Sequence, residues 1–181
     1  MKGIIFNLVQ EVVEEAHGDT AWDAMLVAAG LDGSYTSLGS YSDAELDRLV
    51  DAAADLLQLP GDDVLRWIGE QSMPLLAERF PVFFNGHAAV QPFLLTLNGI
   101  IHPEVRKLYP GAIAPNFDFE APSPDVLLIG YRSQRRLCTL AEGFIKGAAA
   151  HFSQTVSLDQ PSCMLRGDDR CVIRGVFSAA A

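Results

Sequence analysis

Two stretches carry residue types able to do chemistry. In Ile101-His102-Pro103-Glu104-Val105-Arg106-Lys107-Leu108-Tyr109 a lone imidazole sits among apolar neighbours. In Tyr131-Arg132-Ser133-Gln134-Arg135-Arg136 a phenol, a hydroxyl and a guanidinium recur at every second position. On an extended chain that spacing aims all three side chains to one side. A guanidinium flanked by hydroxyls suits a carboxylate, because its fork matches the acid's two oxygens. A neutral imidazole on a rigid element, walled by apolar groups, suits the iron of a five-coordinate haem. A planar, metal-bearing dicarboxylate such as haem would use both stretches, with His102 on the iron and Tyr131, Ser133 and Arg135 on the propionates. Each stretch alone has a plainer reading. An alternating polar triplet is also the wet face of a strand, and a histidine among apolar residues is also a hydrogen-bonded structural group.

The elements that must hold these residues follow from hydrophobic periodicity. Residues 2–17 place Ile4, Ile5, Leu8, Val12 and Ala16 at helical spacing, with Glu11, Glu14 and Glu15 on the wet side. His17-Gly18 ends that helix, and a short one follows over about 19–29 with Trp22, Met25, Leu26 and Ala29. Residues 30–41 form a Gly- and Ser-rich loop. Ser42-x-x-Glu45 is a capping box that opens a helix to about Leu57, with Leu46, Leu49, Val50, Ala53 and Leu57 as its buried stripe. After Pro60-Gly61-Asp62 a helix turns Val64, Trp67 and Ile68 inward, and Pro74 is expected to interrupt it near Met73. Met73 offers a sulfur to iron, or fills the core or pocket wall. His87, in the turn Asn85-Gly86-His87, is expected at the surface.

Ala88 to Tyr109 reads as helical through Val90, Phe93, Leu94, Leu97, Ile101, Val105 and Leu108. Pro103 has no N–H for the carbonyl of Gly99, so a kink or looser turn is expected there. Prolines then mark a non-helical connection. Phe117–Glu120, Asp125–Tyr131, Phe152–Leu158 and Cys171–Phe177 read as strands, with a helix over 136–150 and a turn near Gly167-Asp168-Asp169. The fold class is α+β: a helical N-terminal half against a C-terminal half with a roughly four-stranded antiparallel sheet. The 181 residues fit one domain, divided into a helical part over about 1–60 and a mixed part over about 61–181. The tail Ala179–Ala181 is expected to fray.

Composition narrows the class. A formal charge of −10 argues against non-specific nucleic-acid binding. No stretch approaches 18 uninterrupted apolar residues, so no membrane span is expected, and the start does not read as a signal peptide. Three cysteines without an export signal point to reduced thiols in the cytoplasm.

The chain resembles the H-NOX family, the haem nitric oxide/oxygen-binding domains of bacteria related to the haem domain of soluble guanylate cyclase. The resemblance rests on Met1-Lys2-Gly3-Ile4-Ile5-Phe6-Asn7, Ile101-His102-x-Glu104-Val105-x-Lys107-Leu108-Tyr109 and Tyr131-x-Ser133-x-Arg135. Arg135-Arg136-Leu137-Cys138, Ala141-Glu142-Gly143 and Gly147-Ala148-Ala149-x-His151-Phe152 extend it over nearly the whole chain. It implies haem b with His102 as proximal iron ligand, Tyr131, Ser133 and Arg135 on the propionates, and Pro115 pressing on the porphyrin. It lays the first helix over the distal face, so Ile5, Val9, Leu140 and Phe144 form the distal wall. Oxygen-binding members place a tyrosine where this chain has Leu140, nine residues after Tyr131. Bound O2 gains from a hydrogen-bond donor by roughly 1–3 kcal/mol, so a pocket without one disfavours O2 while admitting NO and CO. The implied function is a non-catalytic NO sensor. NO weakens the bond trans to itself, releasing His102 and letting helix and porphyrin relax. With no output domain in the sequence, a histidine kinase or a cyclic-di-GMP-metabolising enzyme is the implied partner. Pro103 departs from the family, which commonly has an apolar residue there.

Some relatives bind a structural zinc through three cysteines and a histidine. Cys138, Cys163 and Cys171 match the cysteines, but Gln160-Pro161-Ser162 stands where the histidine falls, and His151 is the only histidine in this half. Zinc on three thiolates plus another ligand, buried thiols, and a redox-sensitive pair all remain open. Two other classes compete with the sensor. A haem enzyme or NO scavenger needs distal acid–base groups, which the expected wall lacks. A haem-free interaction module would have no use for His102 and the triplet.

Overall fold

The capping box at Ser42 forms as its spacing demands. The structure, a computed structural model, describes residues 1–180. In it Ala44 N–H donates to Ser42 Oγ at 3.3 Å and Ser42 N–H donates to Glu45 Oε1 at 3.3 Å. They open α3 (Asp43–Leu57), which buries Leu46, Leu49, Val50 and Ala53, while Leu57, expected in the same stripe, is exposed at the helix end. Before it lie α1 (Gly3–His17) and α2 (Asp19–Ala29), divided by Gly18 at φ +83° and ended by Gly30 in the left-handed region. Glycine takes such φ values without steric penalty. These helices pack around Phe6, Val13, Trp22, Met25 and Leu49, a first core that Val64, Ile68 and Leu140 complete.

The expected break at Pro74 does not occur: α4 runs through it from Gly61 to Arg79. Pro74 withholds one bond, the one to the Glu70 carbonyl, and packing holds the helix together regardless. Its partner is α7 (Cys138–His151), which starts at Cys138 rather than 136. The two helices touch backbone to backbone at Gly69, Gly143 and Gly147. A Cβ on Gly143 would strike the Arg66 carbonyl, and one on Gly147 would strike the Glu70 carbonyl. Buried Glu142 of α7 accepts from Arg66 Nε of α4 at 3.1 Å, fastening the same contact.

The single helix read over 88–109 is three pieces. They are α5 (Val90–Leu94), a π-helical turn Leu97–Ile101, and α6 (His102–Leu108). The looser turn expected at Pro103 is present, and it precedes His102 directly. His102 N–H bonds to the Leu97 carbonyl, five residues back, so the chain widens just before the proline that cannot donate. Apolar periodicity survives such interruptions because each short piece still faces the same core.

The sheet has the order β1-β2-β4-β3, all antiparallel: β1 (Asn116–Ser123), β2 (Val126–Arg132), β3 (Gln154–Ser162) and β4 (Cys171–Ala179). The expected strands Phe117–Glu120 and Cys171–Phe177 sit inside β1 and β4, whereas Asp125–Tyr131 and Phe152–Leu158 start one and two residues before β2 and β3. β4 runs to Ala179 and Ala180 N–H donates to the Ser153 carbonyl at 3.1 Å, so these two residues do not fray as expected; Ala181, the rest of that expectation, lies outside the described residues. Tyr131 pairs with Phe117 on one side and Cys171 on the other. Across the sheet α7 buries Ile145, Ala148 and Ala149 against Leu127, Ile129 and Ile173, with Phe84 and Phe93, as a second core. Thus α4 and α7 serve both cores. Among the described residues no helix is long and apolar enough to cross a membrane.

Candidate haem cavity and thiol cluster

A cavity of about 320 Å³ opens between α1 and the second core. From α1 come Ile4, Ile5 and Leu8; from α4 and its C-terminal extension Met73, Leu76, Phe80, Phe83 and Phe84; from α7 Leu140, Ala141, Phe144 and Ile145. The remaining wall includes Phe93, Leu97, Ile101, His102, Val105 and Phe117, with Pro115 in the loop after α6. Polar groups are confined to Tyr131, Ser133, Arg135, Tyr109, His102 and Lys2. Of the residues singled out in the sequence, His102, Pro115, Tyr131, Ser133, Arg135, Ile5, Leu140 and Phe144 therefore meet around one space. Met73 is a wall residue, 5% exposed. Val9 does not line this cavity. It is buried in the first core and faces a separate, smaller void.

His102 is partly buried, its ring centroid 5.8 Å from that of Phe117. Its Nδ1 is buried and has no hydrogen-bond partner. Burial pushes its pKa down to about 4, nearby Arg106 pushes the same way, and the Pro115 backbone pulls weakly upward. The imidazole is therefore neutral at pH 7, with a lone pair free to bind a metal. A buried ring nitrogen without a partner is an incomplete arrangement in a folded protein, and a ligand atom completes it.

The triplet reaches the cavity by a route different from the expected extended chain. Only Tyr131 is in a strand. β2 ends at Arg132, Arg136 N–H donates to the Ser133 carbonyl in a turn, and Arg136 has φ +54°. Arg135 N–H donates to Ser133 Oγ at 3.2 Å, so the turn holds hydroxyl and guanidinium together. Burial raises the Tyr131 pKa, with Ser133 and the Leu137 backbone opposing. Arg135 already has partners: its Nε donates to both Asp43 oxygens at 2.9 Å, and Nη1 donates to the Ile113 carbonyl at 2.7 Å.

Asp43 is one residue that sequence reasoning missed. Burial pushes its carboxyl up, but bonds from the Met1 amine and Arg135 outweigh this and hold its pKa below the usual value. The capping box marks an acidic residue there; nothing local links it to a partner 92 positions away. Lys2 was missed too. Its Nζ donates to the carbonyls of Leu38 at 2.5 Å and Pro110 at 3.2 Å and to Ser40 Oγ at 3.0 Å, bracing the rim. Tyr35 and Tyr41 pack on Phe6 in the first core, outside the cavity wall.

The three cysteines meet away from the cavity. Cys138 Sγ lies 3.7 Å from Cys163 Sγ, which is 3.9 Å from Cys171 Sγ, and all three are free and buried. Burial raises the Cys138 pKa and pushes that of Cys171 up to about 12, while Met164 N–H donates to Cys171 Sγ at 3.2 Å. Gln160 stands beside Cys138 and offsets part of its rise, but its Nε2 is buried and makes no well-formed hydrogen bond. His151 is exposed, its ring 5.0 Å from Phe84 and Phe152, and is not part of the thiol group. His87 is half-buried rather than at the surface, edge-on to Phe93 at 6.0 Å.

Fold and cavity have counterparts among known proteins. A crystal structure of an H-NOX protein from S. oneidensis, a triple mutant in the Fe(II) state, superposes with a TM-score of 0.92. It is 31% identical, with 100% of this chain and 98% of that one covered. The S. oneidensis H-NOX structure in the Fe(II)NO ligation state gives 0.91 at 32% identity, covering 98% and 99%. Soluble guanylate cyclase gcy-31 of Caenorhabditis elegans is 26% identical over 161 residues. The match takes in 86% of this chain but only 22% of that protein. The family model described as Haem-NO-binding matches residues 2–160. By sequence and by fold, the chain belongs to the Haem-NO-binding family of haem-based gas sensors.

Proposed function

We propose that the chain is a ferrous-haem sensor of nitric oxide that also takes CO, disfavours O2, and signals to a separate protein. The observation that carries this reading is the cavity's polarity. One neutral imidazole with an unpartnered nitrogen lines an apolar cavity, and Leu140, where the family resemblance sets the tyrosine of oxygen-binding members, gives its wall no donor. Relatives solved in Fe(II)NO and Fe(II)CO ligation states support the ligand class. Haem b, when bound, would supply an iron able to take a diatomic gas.

His102 would hold the iron, and its low basicity keeps the imidazole deprotonated for that role at any pH near neutral. Tyr131, Ser133 and Arg135 would hold the propionates, with Arg135 partly committed to Asp43 and Ile113. Pro115 would press on the ring, and Ile5, Leu140 and Phe144 would cover the distal face, with Val9 behind them. The wall offers no distal acid–base group, which favours sensing over catalysis. Release of His102 would free α6 to shift at the π-helical turn, a built-in weak point in its anchorage. The two cores supply the parts that would move, a helical part near 1–60 against the remainder. A histidine kinase or cyclic-di-GMP enzyme in the cytoplasm is the partner we favour.

The thiol cluster fits three corners of a zinc site, since thiolates about 2.3 Å from a common tetrahedral ion lie roughly 3.8 Å apart. The fourth corner would be water or the Gln160 amide; metal analysis with a thiol count checks this. The main test is the visible spectrum of the ferrous protein in air, under CO and under NO. NO and CO should each shift the Soret band, and air should give no stable oxy spectrum. Leu140→Tyr should then gain measurable O2 affinity. A stable oxy form in the unmodified protein would overturn the pocket reading, and absence of any haem band would overturn the whole.

A further inference from the structure

β1 stands at the edge of the sheet, beside β2. In an antiparallel ladder alternate residues turn their N–H and C=O outward, away from the partner strand. At an edge those groups have no ladder partner and find another one or face water. Phe117 is such a residue, and its partner is a side chain. Asn98 Nδ2 donates to the Phe117 carbonyl at 2.5 Å, and Phe117 N–H donates to Asn98 Oδ1 at 3.3 Å. A carboxamide offers both an acceptor and donors, so it stands in for the peptide group of a missing strand.

This pairing joins two elements that bear on one ring. Asn98 lies in the π-helical turn Leu97–Ile101, and His102 follows that turn, its N–H held by the Leu97 carbonyl. Phe117 sets its own ring 5.8 Å from the His102 imidazole and 5.6 Å from the Tyr131 ring. The outer side of the turn is loosely held. Gly99 and Ile100 are exposed, and a Cβ on Gly99 would meet nothing within 4 Å. Pro103 brings no N–H back to the turn. Asn98 is exposed as well, so burial does not call for an amide there. What the amide does is fasten the turn to the residue whose ring faces His102.

We propose that Asn98 is a positioning residue for His102, a latch that ties the π-helical turn to β1 and resists withdrawal of the imidazole from the cavity. One consequence, the rate at which His102 leaves a haem iron under NO, rests on the function proposed above; the latch itself does not. With the latch closed, the turn stays beside Phe117 and the imidazole keeps its place. With it open, the turn and α6 swing together. Both bonds are exposed to water, so the latch is weak, as a part that has to open must be. Loss of one net hydrogen bond changes such an opening by about two- to tenfold.

Asn98→Ala tests the latch in three readings. Amide exchange at Phe117 should quicken by about two- to tenfold, while that at Asp118, which pairs with Gly130, should not change. In haem-free protein the ring shifts of His102 should move in NMR spectra. In haem-loaded ferrous protein mixed with NO, the slow phase of the Soret change, in which His102 leaves the iron, should quicken by a similar factor. Asn98→Asp keeps an acceptor for the Phe117 N–H and loses the donor, so it should fall between wild type and Asn98→Ala. Gly99→Ala alters the same turn without touching the amide and should leave all three readings as they are. Phe117 exchange that ignores Asn98→Ala would show that no latch exists. Faster exchange with unmoved His102 shifts, or with an unchanged NO phase, would show that the latch does not position His102. An equal change in Gly99→Ala would assign the effect to the turn alone, and each of these results overturns the proposal. Wild-type protein that takes up no haem overturns the sensor reading instead, and the exchange and His102 shifts still decide the latch.

Discussion

His102 shows how burial prepares a side chain. Moving the imidazole out of water lowers its pKa to about 4, which leaves a neutral ring with a buried nitrogen that bonds to nothing. Such a group is costly unless something binds it. His102→Gly should lose the Soret band during purification, and added imidazole should restore it; full retention without imidazole would remove His102 from the ligand role. Asp43 is a different case, an exposed carboxylate worth little by itself. Its pKa is depressed in the folded protein, so its stabilisation is present above the ordinary carboxylate value and is lost as pH falls through the folded value. Wild type should therefore exceed Asp43→Asn in the free energy of urea unfolding at pH 7, by about 1 kcal/mol at most. That advantage should vanish in acid, and a gap that widens on acidification would contradict the sign.

At the scale of elements, the contact between α4 and α7 is the rigid part and the π-helical turn before α6 is the soft one. Gly143→Ala puts a methyl into the Arg66 carbonyl with the Glu70 amide nitrogen 2.9 Å away, and backbone cannot step aside as a side chain can. It should destabilise the fold by about 1–3 kcal/mol in urea unfolding. Gly99→Ala, within the soft turn, meets nothing within 4 Å and should stay within about 0.5 kcal/mol of wild type. Equal effects would show that the two contacts do not differ in this way. The same contact explains why Pro74 leaves α4 whole. Burial on both sides supplies more than the single hydrogen bond withheld, whereas Pro103 lies in a chain with far less packed around it.

For the whole molecule, two cores share α4 and α7, and the large cavity lies where α1 of the first core faces the second. A ligand filling that space bridges both. Haem should therefore raise the urea midpoint of the entire transition, through a gain in unfolding free energy of about 2.7 kcal/mol at a free concentration a hundredfold above its Kd. A transition whose midpoint ignores haem would mean that the cofactor does not bind at this junction. The exposed Leu108 at the end of α6, Ile113 in the loop after it, and the braces from Lys2 and Arg135 lie on the rim, so changes at His102 have a short path to the surface.

What was legible in the sequence was whatever depends on near neighbours. The capping box at Ser42, the stripes of α1 and α3, the four strands and the loosened turn at Pro103 all follow from bonds and faces within a few residues. Residue type and spacing likewise single out His102, Tyr131, Ser133 and Arg135, which meet around one cavity. What local pattern could not decide was which groups meet. Asp43 on Arg135, Val9 behind the wall rather than in it, the triplet held by a turn, and the thiols gathered beside Gln160 are pairings across long stretches of chain. Periodicity tells which face of an element is buried; the packing of α4 on α7, and of α1 against the second core, decides what that face buries against.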